Sequence, residues 1–336
     1  MGDSECEVGA IARYLITGGA GFIGSHLADA FVAKGEEVAI LDNLSTGRRA
    51  NVEHLLASGA AELIEGCVTD VELVDTLMGE CDRCIHLAST VGVQLVIADA
   101  LEALRNIVCG ADVVISAAAD HGKRVLFMST SEVYGKSSNG RLREDSDRVF
   151  GSLFKSRWSY AIAKSYGETL AYGYHREHGA DTRVARLFNT IGPRQVGDHG
   201  MVVPRLVRQA IAGEELTVFG DGSQTRCFLD VHDAVSAIIG LSEHDRASGG
   251  AFNIGSVQPI AVRALAQRIV ERARSSSRIK LVPYEEVYDE GFEELGQRSP
   301  DLTALRRLTG WSPRRTLDQA LDDVIAFQRA ELVVKA

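Results

Sequence analysis

The octapeptide TGGAGFIG, Thr17 to Gly24, constrains the fold of this chain more than any other stretch. It follows the apolar run IARYLIT (11–17) and opens the helix-like segment FIGSHLADAFVAKG. Gly18, Gly21 and Gly24 have GxxGxxG spacing. The first glycine permits a tight turn, the second lets the backbone approach a pyrophosphate, and the third lets the helix pack closely. A helix starting there offers unpaired N–H groups and the positive end of its dipole to an anion. Glycine triplets also occur in ordinary turns; the strand before and the helix after set this one apart. Asp42 closes the next apolar run, EVAILD, about 20 residues on, where an acid meets a ribose diol and repels a 2′-phosphate. The combination points to a dinucleotide, and to NAD over NADP, although Arg48 and Arg49 pull the other way.

The rest of the first half repeats this alternation. AELIEG and RCIHLA read as strands, with a helix over VELVDTLM between them. A long helix from about Gln94 to His121 precedes the strand KRVLFMST, and a second from about Arg157 to His178 precedes TRVARLF. Strands separated by helices predict an α/β fold: a doubly wound parallel sheet of the Rossmann type, with its carboxyl ends along one edge. After Phe188 the pattern loosens. A Gly/Pro loop, GPRQVGDHG (192–200), is followed by the helix VVPRLVRQAIAG, the turn FGDGSQ and TRCFLDVHDAV, where a strand runs into a helix. We therefore expect an NAD-binding domain over 1–187, with 228–247 returning to it. A smaller C-terminal substrate-binding lobe takes 188–227 and 248–336.

Composition limits the partners. With 336 residues, 45% hydrophobic and 24% charged, the chain is an ordinary globular one. Its net charge of −10 argues against nucleic acid, so an anionic substrate needs a local cationic pocket. No apolar run approaches the roughly 18–20 residues of a membrane span, and the acidic N-terminus lacks a signal peptide's basic start. Six scattered cysteines suggest reduced thiols and a cytoplasmic protein. Cys81 and Cys84 form a CxxC with no second pair to complete a zinc site, so no metal is expected. His175 and His178 read as a solvated helix face, and Asp230 as a helix N-cap ahead of His232 and Asp233.

Chemistry gathers at STSEVYG, Ser129 to Gly135, and at YAIAK, Tyr160 to Lys164. Tyr160 and Lys164 are four apart and share a helix face. An ammonium beside a phenol stabilises the phenolate, which makes Tyr160 a general base. Thr130 is placed to hold the substrate hydroxyl. Glu132, at the mouth of a strand expected to be buried, is costly unless something binds it; capping local N–H groups is its plainer role.

TGGAGFIG, STSEVYG, YAIAK, RLFNTIGPR and GSQTRCF together resemble an extended short-chain dehydrogenase/reductase acting on nucleotide sugars, over nearly the whole chain. Sugar 4,6-dehydratases have Thr-Asp-Glu where this chain has Thr130, Ser131 and Glu132, and Ser131 cannot act as their acid. Thr-Ser-Glu-Val-Tyr-Gly is instead similar to UDP-glucuronate decarboxylases, and RWSYAIAK to the decarboxylase of the aminoarabinose pathway. Arg226 in TRCF and Arg298 in QRSPD match arginines of those decarboxylases.

The resemblance implies a catalytic set of Tyr160, Lys164, Thr130, Ser131, Glu132 and Arg226. Tyr160 would abstract the C4 hydroxyl proton while NAD accepts the hydride. The resulting 4-keto uronate would lose carbon dioxide, with Glu132 and Arg226 managing the carboxylate and the C5 proton. It implies cofactor contacts from Gly18, Gly21, Phe22, Ile23, Gly24, Asp42, Asn43, Gly47, Leu87, Ala88, Ser89, Asn106, Tyr160 and Lys164. Asn189, Met201, Val202, Val203, Val218, Arg226 and Arg298 would hold the base and diphosphate of a UDP-sugar. In relatives the two long helices form a four-helix interface, so a homodimer is expected. A 4-epimerase needs only Tyr160 and Thr130 and is the alternative, kept open by the unusual insert LREDSDRVFGSLFKSRW (142–158). A silent NAD-sensing scaffold is a third reading, opposed by the intact Tyr160, Lys164 and Thr130.

Overall fold

The computed structural model describes residues 11–89, 100–137, 140–155, 157–197, 201–287 and 298–335. The expected helix start near Gln94, the acidic N-terminus and the end of the 192–200 loop lie outside them.

The first half runs β1 (Arg13–Thr17), α1 (Phe22–Ala33), β2 (Glu37–Asp42), α2 (Glu53–Ala57), β3 (Ala61–Glu65), α3 (Val71–Glu80), β4 (Arg83–His86), α4 (Ala100–Asp120), β5 (Arg124–Thr130), α5 (Arg157–His178) and β6 (Thr182–Leu187). The second half adds β7 (Thr190–Ile191), α6 (Val202–Ala212), β8 (Leu216–Phe219), β9 (Thr225–Cys227), β10 (Leu229–Asp230) and α7 (Val231–Glu243). It ends with β11 (Ala251–Ile254), β12 (Pro259–Ala261), α8 (Val262–Arg272), β13 (Ile279–Val282), α9 (Thr303–Thr309) and α10 (Leu317–Lys335).

Seven strands form one sheet in the order β11-β6-β5-β4-β1-β2-β3, every pair parallel. Side chains alternate across it because strand periodicity is two. Tyr14, Ile16, Ile85 and Leu126 meet Leu27 and Phe31 of α1 and Ile238 of α7 on one face. Leu15, Leu41, Cys84 and Val125 meet Leu77 and Met78 of α3 and Val114 of α4 on the other. Burial on both faces explains the near-continuous apolar runs in the sequence. The chain leaves β1 toward β2 on one side and reaches β4 on the other. A crevice therefore opens above the carboxyl ends of β1 and β4.

Thr17, at the end of β1, lies level with His86 at the end of β4, and Thr130 of β5 lies level with Leu187 of β6. A separate apolar core joins Leu206 and Val207 of α6, Leu216 and Val218 of β8, Leu265 and Ile269 of α8, and Leu321 and Val324 of α10. Helix α7 packs against the sheet instead. Asp230 caps its start by accepting from the His232 amide, and Arg183 caps its end by donating to the Leu241 and Ser242 carbonyls at 2.7 and 2.9 Å.

Candidate active site at the sheet edge

The glycine loop has the shape its spacing predicts. Gly18 is left-handed (φ +72°), and a Cβ there would lie 2.8 Å from the Ala88 amide nitrogen. At Gly24 a Cβ would stand 2.3 Å from the Gly18 carbonyl oxygen, so only glycine lets α1 start this close to the turn. A Cβ at Gly21 would meet only that same oxygen, at 3.1 Å. Gly21 is the N-cap residue of α1 and supplies no side-chain cap, so the amides of Phe22, Ile23 and Gly24 form an anion cradle at the helix's positive end.

Asp42 accepts from the Ala20 and Leu44 amides at 3.0 and 2.9 Å, and Gly47 approaches so closely that a Cβ would lie 2.8 Å from both carboxylate oxygens. Burial raises the Asp42 pKa and the two amides oppose the rise. Arg48 faces Glu331 at 3.5 Å, and Arg49 binds Glu53 at 3.1 Å. Both arginines have acidic partners, which weakens the pull toward a 2′-phosphate. Asn43 accepts from Ser45, and Asn106 donates to Glu102 along its own helix. Leu87 packs on the core, and the Ala88 amide donates to Thr17 Oγ1 at 3.2 Å.

The catalytic candidates converge where β4, β5 and α5 meet. Thr130 ends β5, and its hydroxyl accepts from the Glu132 amide at 3.3 Å, starting the single turn Ser131–Tyr134. Burial raises the Tyr160 pKa, Glu132 raises it further, and the hydroxyls of Ser89 and Thr130 lower it. The phenol is thus protonated in the free protein. Ser89 Oγ is buried beside the Tyr160 phenol. A buried hydroxyl beside the phenol at the mouth of the crevice suits a polar ligand there. Together with the glycine cradle and Asp42, it shows that these residues fit a dinucleotide.

Lys164 is 3% exposed, donates to the Met128 carbonyl at 2.9 Å and lies over the Phe127 ring at 5.0 Å. Burial lowers its pKa to about 7, against the opposing pull of Glu168. The carboxylate of Glu132 is held by both guanidinium nitrogens of Arg298, the Nη2–Oε2 contact being 3.0 Å. Arg298, expected with the base and diphosphate, therefore stands at the catalytic strand end. Ser131 is buried.

The remaining substrate candidates divide. Asn189 is exposed, and Met201 and Val202 are half-buried at the start of α6. The side chains of Val203 and Val218 are 1% and 0% exposed inside the lobe's core, because α6 and β8 turn those faces toward α8 and α10, which leaves only their backbone to meet a nucleotide. Neither side chain lines an open site. Arg226 lies on β9 opposite Ile260 and donates to the Thr225 carbonyl. Burial pushes the Cys81 thiol up to about 11 and raises Cys84 as well, as expected of structural cysteines. Asp230, His232 and Asp323 cluster like metal ligands, but Arg315 bridges both carboxylates and supplies the positive charge.

Several residues at the site escaped the sequence reading. His86 Nδ1 pairs with Thr17 Oγ1 at 2.7 Å, and burial, with Lys164 nearby, lowers its pKa to about 3. Glu168 accepts from Ser129 at 2.5 Å, from both ends of Arg186 at 2.9 and 2.8 Å, and from Arg148 at 2.5 Å. The signal for Glu168 was present: Tyr160, Lys164 and Glu168 continue one four-residue row.

Residues 14–255 match the NAD dependent epimerase/dehydratase family. The chain is 40% identical over 318 residues to a UDP-N-acetyl-alpha-D-glucosaminuronate decarboxylase of Bacillus cytotoxicus, covering 94% of this chain and 98% of that one. It is 35% identical over 322 residues to UDP-glucuronic acid decarboxylase 1 of Xenopus tropicalis, covering 95% and 73%. Among solved structures, a UDP-glucuronic acid 4-epimerase from Bacillus cereus, in complex with UDP-glucuronic acid and NAD, superposes with a TM-score of 0.85 at 26% identity, covering 95% and 99%.

Proposed function

The chain belongs to the NAD-dependent epimerase/dehydratase family, and from that premise we propose that it decarboxylates a UDP-linked uronate through a 4-keto intermediate. The observation that carries this reading is the ion pair between Glu132 and Arg298 beside Tyr160 and Thr130. A 4-epimerase acting on a neutral UDP-sugar has no need of a guanidinium at that point, although one acting on a UDP-uronate would. A uronate decarboxylase needs one to orient a carboxylate, and Arg presents a planar fork that matches it. The decarboxylase relatives support the same choice.

NAD, when bound, supplies the reversible hydride acceptor for C4 of the sugar; Gly18, Gly21, Gly24 and Asp42 would hold it. With the positive charge of a bound nicotinamide lowering its pKa, Tyr160 would take the C4 hydroxyl proton as phenolate, and Lys164 would stabilise that phenolate. Thr130 holds the same hydroxyl. A 4-keto uronate is a β-keto acid, so carbon dioxide leaves to give an enolate, whose oxygen Thr130 and Tyr160 stabilise by hydrogen bonds. Arg298 orients the departing carboxylate, and Glu132 manages the proton returned to C5. Return of the hydride to C4, with the proton from Tyr160, would restore the C4 hydroxyl and leave the cofactor oxidised again. Arg226, Asn189, Met201 and Val202 would hold the nucleotide.

The two apolar cores support 1–187 with 228–247 as a cofactor domain beside a sugar-nucleotide lobe, but β11 with Phe252 and Ile254, and Leu305 of α9, pack with the sheet and not with the lobe expected over 248–336. Exposed Leu101, Ile162, Tyr166 and Tyr172 on α4 and α5 support a homodimer through those helices. No described helix is long and apolar enough to cross a membrane. The described cysteines are free, which supports a cytoplasmic site of action.

The test is incubation of the purified protein and NAD with UDP-glucuronate and, separately, UDP-N-acetylglucosaminuronate. Carbon dioxide and the UDP-pentose are expected from at least one. UDP-galacturonate or its acetamido counterpart without carbon dioxide would establish the epimerase instead.

A further inference from the structure

Arg298 reaches Glu132 from a segment far away in sequence, and something must register that segment against the end of β5. The Asn253 side chain, 0% exposed at the end of β11, stands at the junction. Its Oδ1 accepts from the Tyr134 hydroxyl at 2.7 Å, in the turn that carries Glu132. Its Nδ2 donates to the Leu142 carbonyl at 2.9 Å and to the Asp301 carbonyl at 3.1 Å. Its backbone amide donates to Glu144 at 2.9 Å.

Leu142 and the 299–301 segment are also tied directly. The Leu142 amide donates to the Ser299 carbonyl, and the Asp301 amide to the Leu142 carbonyl, at 2.9 and 2.8 Å. Arg298 is the residue before Ser299. One buried amide therefore joins the Glu132 turn, the 142–158 insert and the segment bearing Arg298, with both its donors and its acceptor used. The chain of contacts continues back to the catalytic helix, because the Tyr134 hydroxyl accepts from Arg186, and Arg186 binds Glu168.

We infer that Asn253 is a positioning residue for the decarboxylation step: it holds the 298–301 segment so that Arg298 meets the Glu132 carboxylate, and with it the substrate's carboxylate. This rests on the proposed uronate decarboxylation. The orientation of the amide matters as much as its presence. An oxygen in place of Nδ2 would face two carbonyl oxygens and push the segment away, while leaving the Tyr134 bond available. The insert that sets this chain apart acquires a role as the middle layer of the clamp.

The test compares Asn253→Asp and the milder Tyr134→Phe with the parent, each loaded with NAD and mixed with UDP-uronate in a single turnover. Reduced nicotinamide absorbance reports C4 oxidation, and released carbon dioxide reports decarboxylation. Asn253→Asp should slow carbon dioxide release about tenfold or more while oxidation stays within about twofold, with Tyr134→Phe intermediate. Equal slowing of both steps, or of neither, overturns the assignment. A crystal structure of Asn253→Asp gives a readout independent of activity: Arg298 should have left Glu132, and an undisturbed ion pair refutes the inference. Failure of the parent to release carbon dioxide would instead refute the underlying decarboxylase reading.

Discussion

Replacing Lys164 with methionine should abolish turnover and yet make the free protein more stable. The side chain is 3% exposed, and burial holds its pKa at about 7 in place of 10.5. Between those values the unfolded chain binds a proton that the folded chain does not, so stability rises with pH across the window. At pH 7 the folded state carries a penalty of about 4 kcal/mol relative to a group with an unshifted pKa. By pH 9 the penalty falls to about 2 kcal/mol, and it vanishes above the unfolded pKa.

Methionine keeps most of the apolar stem and gives up one hydrogen bond to the Met128 carbonyl, worth about 1 kcal/mol. Glu168 keeps Arg148 and Arg186, so no buried carboxylate is orphaned. The variant should therefore exceed the parent by about 3 kcal/mol at pH 7 and by about 1 kcal/mol at pH 9. Urea unfolding at both pH values, without cofactor, measures the two gaps. A variant less stable than the parent at pH 7, or a gap that does not shrink with pH, would refute the premise that the site holds its lysine at a cost.

Acid should act in the same sense through His86 and His26, in a lower pH window, because burial lowers their pKa values to about 3 and about 4. Both are depressed below the unfolded value, so the unfolded chain takes up protons first, and each should remove about 2 kcal/mol of stability between pH 8 and pH 5. His86→Asn, which keeps an acceptor near Thr17, should lose correspondingly less in that interval; equal losses in urea titrations would contradict the assignment. Gly24→Ala should destabilise the fold and abolish NAD binding, because its Cβ meets backbone at 2.3 Å, whereas Gly21→Ala, at 3.1 Å, should fold normally and bind NAD more weakly. Thermal unfolding with cofactor titration separates the two, and similar melting points for both variants would reject the distinction.

Local chemistry makes much of this protein legible in the order of its residues. A glycine turn, an acid ending the next strand and a four-residue Tyr–Lys spacing each act through a few neighbouring residues, so the chain order alone displays them. Six of the seven parallel strands follow from apolar runs of strand length between helices, whereas the seventh, β11, lies in a stretch that reads as part of the smaller lobe and joins the sheet only in the fold. Even the Asp230 helix cap is readable, since it too is a short-range device.

Other features depend on which distant segments meet. Val203 and Val218 are ordinary apolar residues in sequence, and only the packing of α6 and β8 against α8 and α10 turns them inward. Arg298 could be any surface cation were it not for the Leu142 bridge and Asn253, which bring it to Glu132, 166 residues away. Position along the chain specified the turns, caps and periodicities because their energies are local. Charge pairing and buried amides across the sheet edge were decided by the tertiary fold, since desolvation and hydrogen-bond geometry exist only once those segments are in contact.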